Sequence, residues 1–188
     1  MRDKENDLRV IKTKKAIRDA FCEMIMEMDY HDITIKELAG RALINRNTFY
    51  LHYDSIDALM KEMQGEIINR FIQENISYSN MDDLKNMIRL FFSHASMESD
   101  LNERLLCSGS YQFVYEEINK AVMEHRKETN RGVFGMDEAS ENIIFAYYGS
   151  VSAILYRQWV VDGKKLSIDE ITTLATRLIC EGMQSVVK

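Results

Sequence analysis

Hydrophobic residues recur at spacings of three and four along almost the entire chain, which is the period of an amphipathic α-helix. The pattern and its polar breaks predict helices over residues 13–28, 35–42, 56–75, 81–97, 100–107, 110–129, 137–161 and 168–187, with a short helix after Asn45. No segment shows the alternation expected of a strand, and proline, which breaks helices, is absent. The sequence therefore predicts an all-α protein of about nine helices.

Polar residues at helix starts divide the first third of the chain into short elements. Thr34 and Glu37 have the spacing of a capping box, in which each side chain bonds the backbone N–H of the other residue. Asn45 and Ser55 are favourable N-caps for the next two helices, and Ser167 with Glu170 repeats the capping box before the last one. Residues 34–53 thus read as two short helices joined by a tight turn, the pattern of a helix-turn-helix.

The second of these helices has two faces of different character. Phe49 and Tyr53 share the side expected to pack on the first two helices, while the opposite side and the leading edge carry residues suited to DNA. Arg46 can reach a guanine edge or a phosphate, and Asn47 can pair with adenine. The remaining candidate DNA contacts are Lys14, Thr34, Thr48, Tyr50, Leu51 and His52. An ordinary helical hairpin could also present tyrosine and histidine on its surface.

Charge changes this picture only slightly. The net charge of the chain is −6, but residues 8–53 contain eight Lys or Arg against six Asp or Glu, so the predicted DNA-binding end is weakly basic on an acidic body. Lys12, Lys14, Lys15 and Arg18 cluster near the predicted start of the first helix, where either a phosphate partner or a solvated basic face would explain them.

Other classes of protein find little support in the residues. The three cysteines are widely spaced and suggest reduced thiols rather than a disulfide or metal site, and no cofactor or catalytic motif is present, so we expect neither an enzyme nor a bound cofactor. The polar first residues do not form a signal peptide, and no apolar run is long enough to cross a membrane. We therefore expect a soluble, cytoplasmic protein.

Residues 13–63 resemble the DNA-binding domain of the TetR family of bacterial transcriptional regulators. The resemblance rests on Thr34-Ile-Lys-Glu-Leu-Ala, on Asn45-Arg-Asn-Thr-Phe-Tyr-Leu-His-Tyr and on Ser55-Ile-Asp-Ala-Leu-Met. It implies that Thr48 and Tyr50 contact phosphates and that Arg46 and Asn47 lie close to bases. Two positions depart from the family pattern: Ile56 replaces a phosphate-binding lysine, and Asn47 replaces a frequent glycine.

The last two predicted helices offer a surface for a second copy of the chain. Regulators of this type bind DNA as dimers, because one short helix reads too few bases. The residues proposed for a four-helix dimer interface are Tyr147, Ser150, Ile154, Ile171, Ala175, Leu178 and Met183, with Ala146, Gly149 and Ala153 as small neighbours that permit close approach. Burial inside a single chain is the alternative. The predicted domains are residues 1–55 for DNA binding and 56–188 for regulation and dimerisation.

Between these regions lies an aromatic and methionine-rich stretch where family members usually hold an inducer. The candidate pocket residues are Phe91, His94, Cys107, Tyr111 and Tyr115, and they suit a small apolar effector with a few polar groups, although ordinary core packing explains them equally well. The segment from Phe145 to Gly163 also resembles a subgroup of TetR-like proteins, some of which answer to protein partners. The sequence thus favours a homodimeric repressor of a double-stranded DNA operator, with a helical protein-binding adaptor as the alternative.

Overall fold

The fold consists of nine α-helices within the residues described by the computed structural model, which are 8–73, 81–97, 100–129 and 135–184. The helices are α1 (Leu8–Glu27), α2 (Ile35–Arg41), α3 (Arg46–Tyr50), α4 (Ile56–Gln73), α5 (Met81–Met97), α6 (Asp100–Cys107), α7 (Gln112–Thr129), α8 (Glu138–Val161) and α9 (Ile168–Gln184). Two 3₁₀ turns, Tyr30–Asp32 and Gly109–Tyr111, complete the elements, and these ranges contain no strand. The predicted all-α architecture is confirmed.

The first helix differs from its prediction in a way that affects the basic cluster. Because α1 already includes Leu8, Lys12 and the other cations up to Arg18 lie beyond its first turn. The prediction that they crowd a helix N-terminus is therefore wrong. Periodicity misplaced this start because the buried apolar stripe of α1 begins only at Ile17, while Leu8 and Ile11 are exposed.

The N-terminal helices are built around one apolar cluster, which we call the N-terminal core. Its fully buried members come from α1, α2, α3 and the start of α4, and include Ile17, Phe21, Met24, Leu38, Phe49 and Leu59. Leu105, Tyr111 and Val114 from α6, the second 3₁₀ turn and α7 complete the same cluster. The apolar packing therefore continues across residue 55, where the sequence predicts a domain boundary, and that boundary stays a prediction.

A second cluster, the C-terminal core, joins α5, α8 and α9. It includes Phe92, Phe145, Tyr156, Ile171 and Ala175, all less than 5% exposed. The assignment of Ile171 and Ala175 to a dimer surface is thus corrected, because both side chains are buried by packing within the chain itself.

The small residues of α8 also serve packing inside the chain. A Cβ added at Gly149 would lie only 2.8 Å from Asn119 Oδ1 on α7, so glycine permits this close approach of two helices. Ala153 is buried, whereas Ala146 is exposed. Gly149 therefore permits the close approach of α7 to α8, and both Gly149 and Ala153 are already buried within the chain.

Candidate nucleic-acid interface

The turn between α2 and α3 is formed by hydrogen bonds that only part of the sequence pattern predicted. Thr34 Oγ1 accepts the N–H of Glu37 at 3.2 Å, as expected of an N-cap. The Glu37 carboxylate, however, accepts from the side chain of Arg41 at 2.9 Å instead of completing the capping box. Only half of the predicted box at Thr34 is formed.

The end of α2 adopts a Schellman motif that the sequence did not signal. The N–H of Ile44 donates to Ala39 O at 3.0 Å and the N–H of Leu43 donates to Gly40 O at 3.2 Å, which satisfies two terminal carbonyls. Leu43 has a φ of 55°, in the left-handed region that glycine favours, and its side chain is 92% exposed. Glycine at this position is the usual sequence sign of such a turn, so the turn could not be predicted from a leucine.

Helix α3 presents its polar side chains outward because its apolar side chains are buried. Asn45 Oδ1 accepts the N–H of Asn47 at 2.8 Å and starts the helix. Phe49 and Tyr53 are at most 4% exposed, and their rings lie 5.8 Å apart in the N-terminal core. Residues on the other side, Arg46, Asn47, Tyr50 and Leu51, are exposed. The predicted division of this helix into a packing face and an outer face is confirmed.

The other candidate DNA contacts occupy the edges of this surface. Thr34 is exposed at the start of α2, whereas Thr48 and His52 are half-buried. Ile56 is half-buried against the N-terminal core, so the position that departs from the family pattern is used for packing. The individual roles of these residues toward DNA stay predictions.

The sequence did not predict the surroundings of Lys14, one of the candidate DNA contacts. Its ammonium lies 2.8 Å from Glu62 Oε2 on α4 and 5.2 Å from the centre of the Tyr53 ring. Arg18, one turn further along α1, pairs through both guanidinium nitrogens with Glu66. Part of the basic cluster thus fastens α1 to α4, an explanation that the sequence did not suggest.

This group of ionic contacts, which we call the α1–α4 ion-pair network, shifts the titration of its acids. Partial burial alone would raise the pKa of Glu62, but hydrogen bonds from Lys14 and Tyr53 and the charges of Lys14 and Arg18 bring it below its ordinary value. The hydrogen bond from Arg18 likewise lowers the pKa of Glu66. Both acids are therefore held ionised, and the network ties α1 to α4.

The predicted pocket residues are spread over two cores. Phe91 and Cys107 pack on the C-terminal core, whereas Tyr111 belongs to the N-terminal core and donates to Met28 O at 2.9 Å. The Tyr115 hydroxyl donates to Gly149 O at 3.0 Å, and burial raises its pKa to about 12. The side chain of His94 lies outside the described residues. Two of the candidate polar groups are thus already satisfied by backbone carbonyls.

The outer side of α8 and α9 keeps several large apolar side chains in water. Ile143 is 71% exposed, Ile154 60% and Leu178 51%, with Tyr147 and Leu174 exposed beside them. Ser150 is exposed among them, and the side chain of Met183 lies outside the described residues. We call this surface the α8–α9 apolar face. Large apolar side chains exposed together are typical of a surface that contacts another molecule.

Neither a metal site nor a disulfide occurs in the described part of the chain. It contains no group of three or more His, Cys, Asp or Glu residues placed to hold a metal ion, and all three cysteines are unpaired. Within the same ranges, no helix combines the length and the apolar character needed to cross a membrane.

The helix-turn-helix is held by its buried apolar side chains and exposes Arg46, Asn47 and Tyr50 on its second helix. This arrangement is typical of a DNA-binding regulator. Residues 17–63 match the sequence model of the family described as "Bacterial regulatory proteins, tetR family". This match covers most of α1, then α2, α3 and the start of α4, so the predicted resemblance of this part of the chain to the TetR family is confirmed.

Known proteins similar to this chain include a transcriptional regulator related in sequence and two solved structures related in fold. The chain is 36% identical over 63 residues to the uncharacterized HTH-type transcriptional regulator YxbF of Bacillus subtilis, a match that covers 33% of this chain and only 17% of that relative. Its fold resembles FadR from Bacillus subtilis, solved with stearoyl-CoA, at a TM-score of 0.65, with 20% identity over 89% of this chain and 98% of FadR. NalD of Pseudomonas aeruginosa, the secondary repressor of the MexAB-OprM multidrug efflux pump, gives a TM-score of 0.72 at 17% identity, covering 94% of this chain and 98% of NalD. At these identities the two structures show a shared fold.

Proposed function

We propose that this chain is a homodimeric repressor that binds a palindromic operator through α3 and leaves it when a small ligand binds. The observation that carries the proposal is the exposed set of Arg46, Asn47 and Tyr50 on a helix whose other face is locked in the N-terminal core. A rigidly held helix of this kind suits the major groove, where guanidinium and amide groups distinguish base edges.

Dimerisation follows from the length of the reading element. Helix α3 has five residues, which is too short to supply useful affinity from one half-site. The α8–α9 apolar face provides the surface for a second copy, since Ile154, Leu178 and their neighbours lose contact with water when two such faces meet. Two recognition helices about 34–36 Å apart then read a palindromic site.

Release from the operator by a ligand is supported by a protein of similar fold. Bacillus subtilis FadR was solved with stearoyl-CoA, so this fold can hold a ligand with a long apolar acyl chain. A ligand that binds the form unable to reach DNA shifts the population toward that form and frees the operator. The small apolar effector of the predicted pocket is retained here on the same grounds.

The proposal is tested by fluorescence-anisotropy titration of the full chain against duplex DNA from immediately upstream of its coding region. Wild type and Tyr50→Ala are compared at two salt concentrations, with a scrambled duplex as control. We expect selective binding by the wild type and at least a tenfold loss in the variant, because one phosphate contact and its positioning disappear. Binding by both proteins should weaken with a similar slope as the salt concentration rises, because Tyr50 carries no charge and its loss changes no counterion release.

A second candidate function is a helical adaptor that binds a protein and no longer reads DNA. The observation in its favour is Ile56, which is packed in the N-terminal core where the family pattern has a phosphate-binding lysine. Complete absence of binding to both the upstream and the scrambled duplex at low salt would support the adaptor and contradict the repressor.

A further inference from the structure

Helices α4 and α7 pack against each other, and residues of both line an open cleft of about 560 Å³ that involves none of the predicted pocket residues. One wall is α4, from Asp57 to Ile68, and the other is α7, where Phe113, Glu117 and Ala121 follow one another at one-turn spacing. Tyr30 closes the end nearest the helix-turn-helix. The volume lies in the range of about 300–1,000 Å³ that is usual for small-molecule sites.

Gln64 gives this cleft a polar group that packing does not explain. Its side chain is 7% exposed and lines the cleft, yet its Nε2 atom has no hydrogen-bond partner. Leaving a buried amide donor without a partner costs free energy, and such groups are rare in folded proteins. An acceptor atom of a bound molecule would remove this cost.

Gly65, the next residue, leaves room where a side chain would otherwise project. A Cβ added there would meet no atom within 4 Å, and the residue lines the same cleft. Glycine inside a helix destabilises it relative to alanine, because the unfolded chain loses more freedom on folding. No packing contact requires this glycine, so its evident effect is to keep the cleft open.

The walls of the cleft are mainly apolar, and its charges are unbalanced. The rings of Tyr30 and Phe113 are in tilted contact at one end, with their centres 4.9 Å apart. The charged residues of the lining are Asp57 and Glu117 against one cation, Lys61. Among the described residues Lys61 and Glu117 form no ion pair, and Asp57 accepts a hydrogen bond from the Tyr30 hydroxyl. A negative excess of this kind disfavours an anionic ligand.

We propose that the α4–α7 cleft is a binding site for a small, largely apolar molecule that carries a carbonyl-type acceptor and no negative charge. Its acceptor receives the Gln64 Nε2–H, its body lies over Gly65, and its aromatic or apolar end contacts Tyr30 and Phe113. This site is distinct from the predicted pocket, since it lies between the outer sides of α4 and α7 and contains neither Phe91 nor Cys107.

The cleft also adjoins the helix-turn-helix. Tyr30 lies just before α2, its backbone N–H donates to Ser110 Oγ at 2.7 Å, and its hydroxyl donates to Asp57 in the first turn of α4. A ligand in the cleft therefore contacts residues that join the two parts of the chain. Any effect of this ligand on operator affinity rests on the proposed function, whereas its binding does not.

The site is tested with 7-diethylamino-4-methylcoumarin, a neutral fluorescent molecule with a lactone carbonyl, titrated against the full chain without DNA. We expect saturable binding with blue-shifted emission. Gly65→Leu should weaken it at least tenfold by filling the cleft, and Gln64→Leu by about tenfold through loss of one hydrogen bond to a buried amide. The anionic 7-diethylaminocoumarin-3-carboxylic acid should bind about tenfold more weakly than the neutral probe, and Glu117→Gln should narrow that difference.

Gly40→Leu is the matched control, because a Cβ at Gly40 also meets nothing within 4 Å but the residue lies outside the cleft. It should bind the neutral probe like the wild type. Circular dichroism and thermal unfolding establish that each variant is folded. Equal affinity of wild type and both cleft variants, or preference for the anionic probe, would overturn the proposal.

Failure of this site and failure of the proposed function give different results. Probe binding that depends on Gln64 and Gly65, without any binding to operator DNA, supports the site and contradicts the repressor. Selective operator binding together with unchanged probe affinity in the cleft variants does the reverse.

Discussion

Asn47 and Tyr50 lie one turn apart on the exposed side of α3, but their side chains suit different parts of DNA. A tyrosine hydroxyl makes one hydrogen bond, typically to a phosphate, whereas an asparagine amide can pair with both N6 and N7 of adenine. Because Phe49 is fully buried, the backbone beneath both residues is held in place. The two side chains therefore test affinity and specificity separately.

We expect Asn47→Ala to relax specificity at one base position. Loss of a bidentate contact should reduce discrimination there by about 1–3 kcal/mol while binding to random DNA stays nearly unchanged. The measurement is a competition titration with operators substituted at each position in turn, and Tyr50→Ala serves as the comparison that loses affinity for every sequence. Equal losses of Asn47→Ala on operator and random DNA would rule out a base contact.

At the scale of elements, the turn after α2 contains an evident strain. Leu43 holds the left-handed conformation at the C-terminal side of the helix, while its side chain is 92% exposed. We expect Leu43→Gly to raise the free energy of unfolding by about 1 kcal/mol, since the steric conflict disappears and little packing is lost. Urea denaturation measures the change.

The matched control for this prediction is Leu51→Gly. Leu51 is 81% exposed and follows α3, but its φ is −71°, so glycine offers it no relief. This variant should be no more stable than the wild type, and slightly less stable if the greater freedom of the unfolded chain dominates. A Leu43→Gly protein that is destabilised like the control would show that the turn is unstrained.

The α1–α4 ion-pair network gives the attachment of two elements a pH dependence. The folded-state pKa of Glu62 is below its ordinary value, so its contribution to stability is present above the unfolded pKa of about 4.3 and is lost as the pH falls through the folded pKa. We expect Glu62→Gln to destabilise the protein by up to about 1 kcal/mol at pH 7, since the pair is partly exposed to solvent.

The check is a series of urea titrations between pH 7 and pH 3. The difference between wild type and Glu62→Gln should shrink below about pH 4, where the wild-type carboxyl also loses its charge. Glu23→Gln is the control, because Glu23 is exposed on α1 and forms no ion pair among the described residues. A difference that is constant with pH would mean that the network is not electrostatic in origin.

At the scale of the whole molecule, the proposed dimer depends on the α8–α9 apolar face. We expect Leu178→Asp combined with Ile154→Asp to convert a dimer into a monomer, because both side chains are more than half exposed and charge there cannot be buried between two copies. Light scattering after size-exclusion chromatography measures the mass.

The fold of the variant should be retained, since neither residue belongs to the C-terminal core. Leu8→Asp, an exposed apolar position on α1, provides a control that should remain dimeric. A monomeric wild type at micromolar concentration, or a variant whose mass is unchanged, would contradict the proposed interface.

How much of the structure could be predicted from the sequence depended on how far apart along the chain the interacting residues lie. The nine helices, the exposed face of α3 and the complete capping box of Ser167 with Glu170 all follow from residues within one or two turns of each other. The resemblance to the TetR family rests on the same kind of local information, since the matched pattern occupies residues 17–63.

Tertiary packing decided which of several equivalent apolar faces would be covered. Ile171 and Leu178 repeat at helical spacing in α9, yet the first is buried in the C-terminal core and the second is half exposed. The same holds for charges, since only the approach of α4 could show that Lys14 pairs with Glu62, 48 residues away. The sequence by itself determined the helices and the reading surface, because neighbouring residues specify them. The cleft beside Gln64, the ion-pair network and the exposed α8–α9 face depend on how distant helices meet, and only the folded chain contains that information.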